Sequence, residues 1–236
     1  AIVPGAQPTS PTYPPPPTSE SGKDSLIFIT HGMTVGSDTH AWVDDMKTAI
    51  KQSVPNNWMV LAYKWTDQAA ANPLNVLSRA KSVGRQVGRS LMDLAELTPN
   101  HAWAHVHLIA HSAGADVIEE ASRIVLIESP PLTTIHCTFL DPYTGATDGG
   151  IAEYGWHANW ADSYYSIDYE TYDRIFGRTE GRLDNAHNVD VTWLDPSARP
   201  APNIYVSGIA GSTPAVLPQR YSSHSWPRQF YQQSIP

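Results

Sequence analysis

The segment Ala110-His111-Ser112-Ala113-Gly114 sets one hydroxyl among small residues, where the apolar run "VHLIA" gives way to a helical pattern. A serine hydroxyl is a weak nucleophile until a base takes its proton, and that base must be oriented by a third group. Two residues further along the chain suit those tasks. Asp141 stands in "FLDP", just past the next apolar run, and His224 stands in the polar "SSHSW" near the C-terminus. Ser112 could thus attack, His224 could act as base, and Asp141 could fix the imidazole.

Such a serine needs a particular mount. Where a strand turns sharply into a helix, residues two before and two after the turn come close, so only small side chains fit. Ala110 and Gly114 occupy those places, a variant of the G-x-S-x-G nucleophile elbow with alanine for the first glycine. A plain helix N-cap would also account for a serine among small residues. The presence of Asp141 and His224 in the order acid, then histidine, which α/β hydrolases use after their serine, favours the elbow.

The rest of the chain supplies a scaffold of the right kind. "SLIFITHG" (25–32) reads as a buried strand ending in glycine, and Trp42, Val43, Met46 and Ile50 then recur at helical spacing. "NWMVLAYKW" (57–65) is a second strand. After Asn72-Pro73, a cap followed by proline at the first helical position, Leu77, Ala80, Val83, Gly84, Val87, Leu91 and Leu94 form one stripe of a long amphipathic helix. "HVHLIAH" is a third strand, 113–127 a third helix and "TTIHCTFLDP" a fourth strand. "SYYSIDY" (163–169) and "NVDVTWL" read as further strands. This alternation predicts an α/β fold with a mostly parallel central sheet, helices on both faces and a site at the carboxyl ends of the strands.

Composition narrows the function classes. With 236 residues, 41% of them hydrophobic, the chain can bury a large core. A formal charge of -8 opposes nucleic-acid binding, which needs a basic surface. No apolar run approaches the roughly 20 residues that cross a bilayer. Cys137 is the single cysteine, so no intramolecular disulfide can form. Residues 1–23 are rich in Pro, Ser and Thr and read as a tail or linker ahead of one domain at 24–236, which suits a secreted or periplasmic protein.

Four stretches, in order, resemble the pancreatic-lipase-like branch of the α/β hydrolases, which holds lipases and phospholipases A1: "FITHGM", "VHLIAHSAGA", "FLDP" and "SHSWPRQFYQQSI". The likeness runs from about residue 25 to the end. It implies an α/β-hydrolase fold and a serine carboxylester hydrolase with the triad Ser112, Asp141 and His224. The backbone amides of Met33 and Ala113 would be its oxyanion donors. The substrate would be an ester or lipid, including phospholipids or polyesters, and no cofactor or metal is expected. Asp168, which ends its own strand pattern, is the rival acid, and chain order does not separate the two; Leu-Asp-Pro matches the lipase branch. Animal members of that branch carry several disulfides, whereas Cys137 is the single cysteine here, so interfacial activation and colipase-like partners are not carried over. A catalytically silent lipase-like carrier is the alternative reading, which the intact Ser112, Asp141 and His224 oppose.

Other features carry less. His101, His105 and His107 lack the companions of a metal site. "TGATDGG" (144–150) lacks the acidic spacing of a calcium loop and reads as a flexible turn. His111 beside the serine is expected to pack or hydrogen-bond. Between the last strand pattern and His224, Ile204, Tyr205, Val206, Ile209, Val216 and Leu217 make the chain too apolar for a solvated loop; the resemblance places a lid there, so these residues are expected to line substrate. Tyr154, Trp156, Trp160, Tyr164 and Tyr165 would pack a cap against the sheet or touch substrate.

Overall fold

Alternation within the first strand already requires two covering layers. In β1 (Ser25–Thr30), Leu26 and Phe28 point to one side, Ile27 and Ile29 to the other, and all four are buried. A strand apolar on both faces belongs to a sheet covered on both faces. A computed structural model describes residues 22–35, 39–70, 73–145, 149–167, 179, 181–197, 199–200 and 220–236. Residues 1–21, most of the expected tail, lie outside that set.

The sheet is all parallel, in the order β2-β1-β3-β4-β5-β6, with β2 (Trp58–Tyr63), β3 (His105–His111), β4 (Thr134–Leu140), β5 (Trp160–Tyr165) and β6 (His187–Asp190). One face is covered by α3 (Pro73–Ala95) and α4 (Gly114–Glu128), whose Val83, Val87, Leu91, Val117, Ile118 and Ala121 meet Leu26, Phe28, Leu108 and Phe139. The other is covered by α1 (Trp42–Ser53) and α6 (Trp226–Ser234). There Trp42, Val43, Met46 and Ile50 pack on Ile27, Ile29 and Ile109, with Tyr231 and Ile235 beside them. Helices therefore lie on both faces, as expected. Two short helices, α2 (Thr66–Ala69) and α5 (Gly149–Glu153), and the antiparallel pair β7 (Arg199–Pro200) and β8 (Arg220–Tyr221) complete the described elements.

Three details depart from the sequence reading. The strand expected at 163–169 runs instead from Trp160 to Tyr165, so Trp160 belongs to the sheet itself and not to a cap. The strand expected through Leu194 stops at Asp190: the Asp190 carboxylate accepts the Thr192 amide at 2.9 Å, and Thr192–Leu194 coils into a 3₁₀ turn. The segment after His224, unassigned from sequence, is helix α6, with proline in its first turn.

Candidate active site

The chain runs from β1 outward to β2 and then back across to β3, so β1 and β3 are neighbours whose following helices, α1 and α4, leave to opposite faces. A crevice opens at such a reversal, at the carboxyl ends of the two strands. His31-Gly32-Met33 emerges there from β1 and Ser112 from β3.

Ser112 has φ of +54°, a region that non-glycine residues seldom occupy. The strain is held from both sides. Its amide donates to the Leu140 carbonyl at 3.0 Å, and its own carbonyl accepts the Ala115 amide at 3.0 Å, which starts α4. Close approach explains the neighbouring glycines. A Cβ on Gly32 would stand 2.5 Å from Ser112 Cβ and 3.0 Å from its Oγ, and one on Gly114 would stand 2.5 Å from the His31 carbonyl oxygen. The same Cβ on Gly114 would lie 3.3 Å from Ala110 Cβ. The tighter neighbour of Gly114 is thus the His31 backbone, and alanine is tolerated at 110.

Asp141 follows β4, is fully buried, and has φ of +48°. Its amide donates to the Tyr164 carbonyl at 2.7 Å. The carboxylate is occupied at both oxygens: Oδ1 accepts the Ser166 amide at 3.0 Å and Oδ2 accepts His224 Nδ1 at 2.6 Å. A carboxylate oxygen can only accept from the imidazole, so Nδ1 bears the proton. In the neutral ring the lone pair then lies on Nε2.

The loop carrying His224 is fastened along its length. Ser222 donates its amide to the Ile167 carbonyl at 2.9 Å and its hydroxyl to Asp195. Burial pushes the Asp195 carboxyl up, but the bonds from Ser222 and Ser197 outweigh it and hold the group below its ordinary value. Ser166 Oγ donates to the Ser223 carbonyl at 3.2 Å, and Trp226 Nε1 to the Val191 carbonyl at 2.8 Å. His111 Nε2 bonds the His224 carbonyl at 2.9 Å.

Met33 and Ala113 follow Gly32 and Ser112 on the adjacent strand ends. Among the described residues, neither amide is taken by a backbone carbonyl. The turn at His31-Gly32 is rigid: His31 Nδ1 donates to the Gly32 carbonyl at 2.7 Å, its Nε2 accepts the Trp65 amide at 3.0 Å, and Trp65 Nε1 donates to the His31 carbonyl at 2.7 Å. His40 stacks on the same imidazole at 3.7 Å.

The structure thus brings Asp141 and His224 into one hydrogen bond and sets Ser112 one residue from the imidazole that holds the His224 carbonyl. Asp168 lies outside the described residues, as do Ile204, Tyr205, Val206, Ile209, Val216 and Leu217. Residues 146–148 of the turn at 144–150 also lie outside, while Gly149 and Gly150 begin α5. Tyr154 is buried against Phe139, whereas Trp156 and Trp160 are exposed. Sequence reasoning missed Ser166, Trp65 and the Asp195–Ser222 pair. Their contacts span 25 or more residues and have no local signature.

A parallel six-stranded sheet, helices on both faces and a strained serine at the strand-to-helix turn define the class: an α/β-hydrolase fold. The family model described as Lipase matches residues 18–145, more than half of the chain, and the chain belongs to that family. It is a lipase-like hydrolase. The matched region includes Ser112 and Asp141 and stops short of His224, which joins the site through the bond to Asp141. No curated protein matches the chain. Among the described residues, no helix is long and apolar enough to cross a membrane.

Proposed function

We propose that the protein is a serine carboxylester hydrolase of lipase or esterase type. The observation that carries this reading is the 2.6 Å bond from His224 Nδ1 to Asp141. It fixes the tautomer a general base needs, beside a serine held at positive φ. His224 Nε2 draws the proton from Ser112 as Oγ attacks the ester carbonyl, and the amides of Met33 and Ala113 receive the developing oxyanion. The start of α4 adds a field favourable to negative charge. His224 returns its proton to the leaving alcohol. It then takes a proton from water, which attacks the acyl-Ser112 ester, and returns that proton to Ser112 Oγ as the acid leaves.

Asp141 is taken as the acid because its carboxylate meets the imidazole. Esters are preferred to amides on the strength of the lipase family membership. Ile204, Tyr205, Val206, Ile209, Val216 and Leu217 are proposed to flank the acyl chain, and the Pro/Ser/Thr-rich residues 1–23 support a secreted or periplasmic location.

The test is hydrolysis of p-nitrophenyl esters of increasing acyl length by the wild type and by Ser112→Ala. Turnover by the wild type alone is expected, and the length optimum assigns esterase or lipase. Equal rates for the two proteins, or none from either, would leave a lipase-like carrier as the function.

A further inference from the structure

His111 ends β3 and shares a peptide bond with the serine. It is almost wholly buried, and its ring lies 4.5 Å from the His224 ring, tilted by 39°. Its Nε2 meets the His224 carbonyl oxygen at 2.9 Å. A carbonyl oxygen only accepts, so Nε2 carries hydrogen and the contact is a directed donor bond.

The imidazole also meets Trp42, the first residue of α1, in a T-shaped contact at 5.9 Å and 82°. The Arg228 guanidinium sits 5.0 Å from the centroid of the same indole. Arg228 lies in the first turn of α6, four residues past His224. The contacts therefore close a ring: from His224 through α6 to Arg228, on to Trp42, then His111, and back to the His224 carbonyl.

We propose that His111 is a positioning residue for the base: its Nε2–H holds the His224 main chain, so that nucleophile strand and histidine loop move as one body. The inference rests on the ester-hydrolase reading and goes beyond it. Asp141 fixes which way the His224 ring faces, while His111 fixes where its backbone sits relative to Ser112. Reacting groups displaced by about 1 Å can lose on the order of 100-fold in rate, so a bond to the backbone of the base belongs to the catalytic geometry.

The His111 imidazole is held neutral by its surroundings, with its hydrogen on Nε2. Burial pushes the His111 pKa well below the usual histidine range; His224, Arg228 and His40 push it the same way, and only the bond to the His224 backbone pulls it up.

Three variants test this on p-nitrophenyl butyrate, with folding checked by circular dichroism and thermal melting. Glutamine places an amide nitrogen near the position of Nε2, asparagine places it near Nδ1, and phenylalanine keeps the ring without a donor. His111→Phe and His111→Asn should lose about 10- to 100-fold in kcat with KM within about twofold, and His111→Gln should recover most of it. In proton NMR the far-downfield signal of the Asp141–His224 bond should broaden in the Phe and Asn variants and stay sharp in the Gln variant. If His111→Phe does not fold, the Asn and Gln pair decides.

Wild-type kcat in His111→Asn or His111→Phe, or an equal loss in His111→Gln, would overturn the proposal. Ser112→Ala separates the two levels: if it is inactive while every His111 variant is fully active, positioning alone is rejected. If Ser112→Ala remains active, the hydrolase reading itself is rejected.

Discussion

Asparagine at position 141 isolates the chemistry of the proposed acid from its structural place. Asp141 adopts φ of +48°, a conformation that asparagine tolerates well, and an amide oxygen can still accept the Ser166 amide. The amide nitrogen would then face His224 and, being a donor, favour the wrong tautomer. Asp141→Asn is expected to lower kcat about ten-thousand-fold with its melting temperature nearly unchanged, measured by ester hydrolysis beside calorimetry. Asp168→Asn should leave kcat intact; the opposite pattern would move the acid to Asp168. Gly32→Ala acts by crowding. Its Cβ would fall 2.5 Å from Ser112 Cβ, so the serine must shift, and a fall in kcat of about 100-fold is expected. At this scale the sequence was informative. The proposed residues were legible as candidates: Ser112 and Asp141 lie in local motifs, and His224 follows them in chain order. The partners that hold them were not, because Ser166, Trp65 and Asp195 are brought in by the meeting of strands distant in sequence.

Among the elements, the contact of α3 with α4 carries the large core face. It depends on two glycines that let the helices approach. A Cβ on Gly84 would stand 2.5 Å from the Val117 carbonyl oxygen, and one on Gly88 would stand 2.6 Å from Ile124 Cβ. Overpacking of this kind costs typically about 1–3 kcal/mol. Gly88→Ala should therefore destabilise the protein by about that amount in urea unfolding, despite alanine's higher helix propensity. An increase in stability would show that the helices separate freely. The stripe from Leu77 to Leu94 already included Gly84, because a 3.6-residue period marks the buried face whatever element lies opposite. That the opposite element is α4 was not readable. Nor was α6 assigned: it spans nine residues, and its apolar contacts, through Trp226, Phe230 and Tyr231, concern one end of the sheet.

For the molecule as a whole, buried ionisable groups set opposing pH dependences. Asp116 in the first turn of α4 is pushed up to about 7 by burial, an effect that Lys81 only partly offsets and that Glu153 and Glu119 reinforce. Burial likewise raises Glu119, despite its bond to His157. A carboxyl whose folded pKa exceeds its unfolded value binds more protons when folded, so its contribution to stability falls as pH rises from about 4 through 7. Histidines on the sheet work the other way. His107 stacks on His136 at 3.8 Å, and burial, followed by the charge of His136, lowers both His105 and His107. Such groups stay neutral when folded, so stability is lost as pH falls below about 6.5, where the unfolded chain takes up protons. Melting temperature against pH should show both limbs. Asp116→Asn is expected to flatten the decline toward neutral and alkaline pH, and His107→Gln the decline on the acid side. An unchanged profile in either variant would remove that group from the account.

What the sequence determined by itself was the alternation of strand and helix, the parallel sheet they make, and the chain order of Ser112, Asp141 and His224. Those signals are local: hydrophobic period, turn residues and short motifs are written within a dozen residues of one another. The tertiary structure alone decided that Asp141 meets His224, that the His31 backbone, more than Ala110, enforces glycine at 114, and that His111 reaches the carbonyl of a residue 113 positions away. Such contacts depend on where separate elements stop and how closely they pack, and those distances are fixed by the whole core at once.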